Sequence, residues 1–338
     1  MHIVNLLLSI LVLLLNGCVF ALFSCGRSSQ STRVSSLSRN PSNRLLHSLS
    51  LCDFLIGIGV IFHILVEQAV INPESRRVRI TGEIFTTFII GASILNLLTI
   101  IVDRAVSIFE ALRYKNIVTY SIVKRLIIFI WLLPLFTSCA QLAYLFPFLE
   151  QENVISTDVE TKIANIEMWY SITMFILYML LPCSTMGVIF LLMFREVQRI
   201  LMRSRGMSTK ETMVVQKQKR VALIFSTMYL CFLLFSMPHF TFRVYLDIKM
   251  HVSRTNVQMD ATLLNVFYTM KTFTSVCNPL IYTLMNTDFR KELLMRVFWF
   301  KNTHKWSYPT GRNHKGSFLM NKNNTSNASQ EHSIEFSV

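Results

Sequence analysis

The sequence predicts an all-α membrane protein, a seven-transmembrane helix bundle with a short amphipathic eighth helix. Three observations carry that expectation. First, the 338 residues are 52% hydrophobic and only 15% charged, whereas an ordinary soluble domain is about 25% charged. Second, seven runs are long and apolar enough to cross a bilayer, which takes about 20 residues. Third, the basic residues fall in alternate loops, as membrane orientation requires.

The seven runs span roughly residues 3–24, 45–71, 80–108, 122–147, 168–195, 219–246 and 260–285. The first starts at Ile3 without a basic leader or a small-x-small cleavage site. It reads as a retained helix and not a signal peptide. Pro134, Pro182, Pro238 and Pro279 fall inside runs. Neighbouring helices in a bundle re-satisfy the carbonyls that proline frees. No repeat or inverted symmetry is visible, which counts against a transporter.

Net charge is +14, from 33 Lys and Arg against 19 Asp and Glu. The loops at 26–44, 104–125 and 195–220 and the tail after Asn286 hold 25 of the 33 basic residues. The loop at 149–167 is acidic, with Glu150, Glu152, Asp158, Glu160 and Glu167 against Lys162. Basic loops face the cytoplasm. The expected topology is therefore N-terminus outside and C-terminus inside, at the plasma membrane. Membrane orientation accounts for the positive charge, and no nucleic acid is implied.

The expected organisation is a seven-transmembrane bundle over 1–286, a membrane-surface helix over 287–300 and a disordered cytoplasmic tail over 301–338. Phe289, Leu293, Val297 and Phe300 share one face of the surface helix, and Arg290, Lys291 and Arg296 lie elsewhere, a pattern suited to the inner leaflet. The seven cysteines (18, 25, 52, 139, 183, 231 and 277) all fall in or beside apolar runs. They read as small buried hydrophobes, not as disulfides.

A charge inside a bilayer costs at least about 2.5–3.5 kcal/mol, so each intramembrane ionisable group is a functional candidate. These are Asp53, Glu83, Asp103 with Arg104, and Lys271, with polar company from Asn16, Ser93, Asn278 and Tyr282. No nucleophile–base set or metal-ligand cluster accompanies them, so an enzyme is not expected.

Seven landmarks occur in order: Asn16-Gly17, LSLCDFLIG at 49–57 with Asp53, Asp103-Arg104, Trp131, Pro182, Pro238 and NPLIY at 278–282. On these the chain resembles rhodopsin-family (class A) G-protein-coupled receptors over about residues 3–300. Locally, DRAVSIFEALRYKNIVT at 103–119 is similar to melanocortin receptors. Arg79 stands where most relatives carry a disulfide cysteine. His63 and Pro182 depart from the melanocortin pattern, which marks an orphan-like relative of that branch.

The resemblance implies roles for particular residues. Arg104, held by Asp103, would be the G-protein switch, with Leu112 and Tyr282 as its partners in signalling. Ala105 replaces the usual tyrosine, and Gln218 stands where some relatives place an acidic latch, so the inner lock is expected to be weak. Asp53, Ser93 and Asn278 match a sodium pocket, so Na+ at Asp53 is the expected cation and no other cofactor is implied. Thr274 and Ser236 depart from that pocket's usual pattern. Ile94, Pro182 and Phe232 match the connector beneath the ligand site, and Phe190 replaces a helix-five tyrosine.

Glu83, Thr86, Thr87, Phe240, Phe267 and Lys271 are the candidate ligand-binding residues. Thr86 stands where aminergic receptors carry an aspartate, which disfavours a biogenic amine. Lys271 has four readings: a partner for Asp53, a partner for Glu83, a contact to an anionic ligand, or a lysine on the helix surface. It lies eight residues before Pro279, one residue off the opsin retinal position, which Thr272 occupies.

The implied function is binding of an extracellular small molecule or short peptide and activation of a heterotrimeric G protein. Ser and Thr in the tail, from Ser307 to Ser337, imply arrestin as a further partner. The alternatives are a non-signalling decoy and, further off, an opsin-like photoreceptor or a transporter.

Overall fold

The computed structural model describes residues 2–25, 41–68, 76–145, 157–203, 209–253 and 261–285. The surface helix expected at 287–300, the tail at 301–338 and most of the first inner loop lie outside them.

Seven long helices form a bundle, and there is no strand among the described residues. They are α1 (His2–Cys25), α2 (Pro41–Glu67), α3 (Arg76–Phe109) and α4 (Tyr120–Leu145). Next comes α5, built from Thr157–Phe175, a π-turn Ile176–Leu180 and Leu181–Arg203. Then α6 joins Thr209–Phe235 to Met237–Ser253, and α7 is Ala261–Met285. A single turn, Tyr114–Ile117, links α3 to α4.

The helices α1 to α6 each contain a stretch long and apolar enough to cross a membrane. The protein is therefore a multi-pass membrane protein. At 1.5 Å per residue the 25 residues of α7 are long enough to span, but no stretch of α7 is as apolar as those of the other six, since it carries Asn265, Lys271, Asn278 and several threonines.

Several helices outrun the apolar segments that predict them. The hydrogen-bond ladder continues through polar residues such as Glu196–Arg203 and Thr209–Arg220. An apolar run reports the bilayer thickness, not the length of the helix.

The ring closes with α7 packed on α1, α2 and α6, and α3 runs through the middle against α2, α4, α5 and α6. Its face supplies Ile94, Leu97, Ile100, Ile101, Ala105 and Ile108 to the main core. The exterior is apolar as well: Leu7, Phe136 and Leu234 are each over 60% exposed. With lipid as solvent, burial marks helix contacts and not hydrophobicity.

Three of the four prolines within the runs have a distinct local feature inside their own helix, not a contact from a neighbouring one. Before Pro182 the chain makes the π-turn, which absorbs the missing donor. Before Pro238 the helix breaks at Ser236, where the Ser236 N–H still donates to Phe232 O at 2.9 Å and the next bond stretches to 3.4 Å. After Pro134, the Thr137 hydroxyl donates to Leu133 O and Pro134 O, both at 3.1 Å.

Among the described cysteines none is in a disulfide, and Cys52, Cys183 and Cys277 are buried as expected. Cys18 and Cys139 are not: both face outward from the bundle. A small thiol is as compatible with lipid as with core.

Candidate functional site

Three polar clusters lie along the axis of the bundle, one at each end and one in the middle. In the middle, the buried Asp53 carboxylate accepts three hydrogen bonds. Ser93 of α3 donates at 3.2 Å and Ser275 of α7 at 3.1 Å, both to Oδ1, and Asn278 Nδ2 donates to Oδ2 at 2.9 Å. Asn16 of α1 ties the same stretch of α7 through its amide, which donates to Ser275 O at 2.9 Å. Thr274 turns toward α6 and shares a 2.9 Å bond with Ser236. The Asn278 Oδ1 is buried without a hydrogen-bond partner among the described residues. An unpaired acceptor beside a carboxylate is a donor set that fits a small hard cation.

At the end expected to be the inner one, the Arg104 Nε donates to Asp103 Oδ2 at 2.9 Å, and a second guanidinium nitrogen contacts the same oxygen. The other oxygen accepts from Ser42 of α2 at 3.1 Å and from the Tyr114 hydroxyl at 2.8 Å. Ser42 and Tyr114 also touch each other. Burial holds the Tyr114 phenol above its ordinary pKa, so it stays a donor at physiological pH. The Arg104 guanidinium also lies 5.6 Å from the ring centroid of Phe225 on α6. Leu112, in the turn after α3, is fully exposed.

At the opposite end, expected to be the outer one, Glu83 of α3 faces Arg243 of α6 at 3.9 Å, and Arg243 also approaches Asp247 at 3.6 Å. Tyr268 of α7 stacks on His63 of α2, centroids 5.2 Å apart, and meets His239 of α6 edge-on at 5.9 Å. The Lys271 Nζ sits 4.5 Å from the centroid of the Tyr268 ring. Phe240 packs edge-on against His239 at 5.5 Å, and Phe267 against Phe242 at 5.3 Å. Thr86 faces Gly59 of α2, and Thr87 is half-buried one residue on.

Residues 29–282 match the 7 transmembrane receptor (rhodopsin family) profile. The chain belongs to that family. G-protein coupled receptor 12 of Rattus norvegicus is 26% identical over 266 residues, which cover 76% of this chain and 72% of that one. The Histamine H2 receptor of Cavia porcellus is 23% identical over 258 residues, covering 75% and 69%. G-protein coupled receptor 3 of Rattus norvegicus is 33% identical over 93 residues, covering 28% and 27%. These relatives are receptors and not enzymes.

In the receptor, Asp53, Ser93 and Asn278 come together in one hydrogen-bonded cluster, the three residues that the family resemblance singles out. Ile94 and Phe232 lie buried in one core cluster, and Pro182 is buried on α5. Tyr282 lies on α7, but its side chain is outside the described residues, as are those of Arg79, Lys217, Gln218 and Lys219.

Lys271 departs from three of its four expected readings. It pairs with neither Asp53, whose oxygens are taken by Ser93, Ser275 and Asn278, nor Glu83, which faces Arg243. The reason lies in helix geometry: side chains lean toward the helix N-terminus. On α7 that direction runs away from Asn278 and toward Tyr268. Nor is it a surface lysine, since only 8% of it is exposed.

Four contributors escape the sequence reading: Ser275, Ser42, Tyr114 and Arg243. Ser275 lies three residues before Asn278, a spacing that shares a helix face and was readable in principle. Ser42 and Tyr114 lie in segments that read as loops, and Arg243 reads as a helix end.

Proposed function

We propose that the protein is a plasma-membrane receptor with its N-terminus outside and its tail in the cytoplasm. It binds a small molecule or short peptide from outside and drives nucleotide exchange on a heterotrimeric G protein. The observation that carries this reading is the pair of buried Asp103 and half-buried Arg104 at the inner end of the central helix, with Leu112 fully exposed close by in sequence.

The chemistry follows from what holds the arginine. Asp103 is fixed from three directions by Arg104, Ser42 and Tyr114. From α6, the recorded contact to Arg104 is the Phe225 ring, and no acidic group of the described residues holds it there. A cation–π contact at this separation contributes about 0.5–1 kcal/mol near a surface, less than an ion pair in the same place. An outward displacement of α6 therefore costs little at this point and uncovers Arg104. Leu112, eight residues further along the chain, supplies an exposed apolar knob for a partner protein. The connector of Ile94, Pro182 and Phe232 lies between this end and the outer cluster, where ligand binding shifts the population of helix arrangements.

Asp53, Ser93, Ser275 and Asn278 would hold a sodium ion, and Asn278 Oδ1 is the acceptor left over for it. When bound, the ion supplies a positive charge that braces α2, α3 and α7 together. The serines and threonines of the tail are the expected sites for arrestin engagement. One relative is a histamine receptor, but Thr86 offers no carboxylate to an amine, so that ligand class is not carried over.

The test is ligand-free G-protein dissociation across the Gα classes, in cells with matched surface expression of the receptor and of Arg104→Ala. A basal signal that the variant abolishes is expected. Silence in both proteins would overturn the weak inner lock and favour a non-signalling decoy.

A further inference from the structure

The outer cluster contains one charge that nothing described there neutralises. Glu67 lies 3.4 Å from both His2 and His63, and Arg243 is shared between Glu83 and Asp247. Lys271, by contrast, has no carboxylate within 4 Å and no hydrogen-bond acceptor among the described residues. Its recorded neighbour is the face of Tyr268. A buried ammonium without a counter-ion is costly, and an aromatic face offsets only part of the lost hydration. Around the same ring sits a second unsatisfied group: His239 Nδ1 is buried with no hydrogen-bond partner among the described residues. Two groups able to donate, from α6 and α7, thus flank one tyrosine ring, with the Phe240 ring alongside.

We propose that this cluster recognises a carboxylate: a monoanionic ligand whose carboxylate docks on Lys271 Nζ and His239, with its apolar or aromatic body against Phe240. The proposal rests on the reading of the chain as a ligand-binding receptor and names the chemistry of that ligand's buried end. Charge decides for a monoanion. A phosphate dianion would need a second free cation, and Arg243 is already shared by two carboxylates. The rim residues Glu67, Glu83 and Asp247 would repel a second negative charge further out. A ligand with a neutral or cationic far end suits the same rim.

The test uses the full-length receptor in neutral detergent and reads its melting temperature with propionate, a probe small enough not to depend on pocket shape. Propionamide is the uncharged control, and chloride holds the ionic strength. Propionate should raise the wild-type melting temperature saturably, by about 2 °C or more near saturation. Propionamide should not. The shift should vanish in Lys271→Met and persist in Lys271→Arg. In the absence of propionate, Lys271→Met should melt above wild type, because it removes the uncompensated charge. Equal shifts in wild type and Lys271→Met, or no shift in either, would overturn the proposal. The readout is independent of signalling. A lysine-dependent shift in a receptor without Arg104-dependent activity would sink the signalling reading alone, and the reverse pattern would sink the carboxylate site alone.

Discussion

Replacing Asp53 separates the effect of its shape from that of its acceptor atoms. Asp53→Ala leaves three donors inside the bundle, on half-buried Ser93 and on buried Ser275 and Asn278, without an acceptor. Each unsatisfied donor costs about 1–3 kcal/mol, so the low end already gives about 3 kcal/mol before any cavity is counted. Asp53→Asn behaves differently. The new amide oxygen still accepts from Ser93 and Ser275, as Oδ1 does now. Its new NH2 meets the Asn278 NH2, donor against donor. Asn278 relieves this by rotating its amide, because its own oxygen has no partner among the described residues. The expected cost is about 1 kcal/mol, one exchanged hydrogen bond. With about 2–4 °C per kcal/mol, Asp53→Ala should lower the melting temperature by about 6–12 °C and Asp53→Asn by no more than about 4 °C. The assay is thermal unfolding of the purified receptor in choline chloride, so that no sodium contributes. Equal losses in the two variants would refute the amide-rotation reasoning. A repeat in sodium chloride then tests the cation: wild type should gain stability over choline, and both variants should not.

Two further outcomes follow from close approaches and exposed groups. A Cβ at Gly187 would lie 2.9 Å from the Tyr229 hydroxyl, which donates to Cys183 O at 3.1 Å and ties α6 to α5; Gly187→Ala should therefore break that tie, and Tyr229→Phe in the same chain should remove the clash. A double-mutant cycle on melting temperature should give a coupling of about 1 kcal/mol, and strict additivity would show that the two residues do not meet. Leu112→Ala should leave stability within about 0.5 kcal/mol, because the side chain is fully exposed, while lowering basal G-protein dissociation at equal surface expression; unchanged dissociation would remove Leu112 from the partner surface.

Much of the molecule was legible from the chain because a bilayer simplifies the code. Backbone groups must pair within each segment, so a 20-residue apolar run has one outcome, and α1 to α6 form where the runs stand. The cost of burying charge made Asp53, Asp103, Arg104 and Lys271 stand out without any knowledge of contacts. The order of the seven landmarks then carried the family, and the resemblance to that family singled out Asp53, Ser93 and Asn278 together. What the chain alone did not decide was the partner of each polar group. Helical periodicity says which residues share a face, but it is silent on which neighbour that face meets and on how far each helix is rotated. Hence Asp103 took Ser42 and Tyr114 from segments that read as loops, and Glu83 took Arg243 from α6. Lys271 turned on a still smaller feature. Its distance from Asn278 allowed a bond to Asp53, but the tilt of Cα–Cβ bonds toward a helix N-terminus sent the ammonium away from Asn278 and onto Tyr268. One-dimensional spacing fixed where the charges are, and the packing of α2, α3, α6 and α7 fixed what each of them faces.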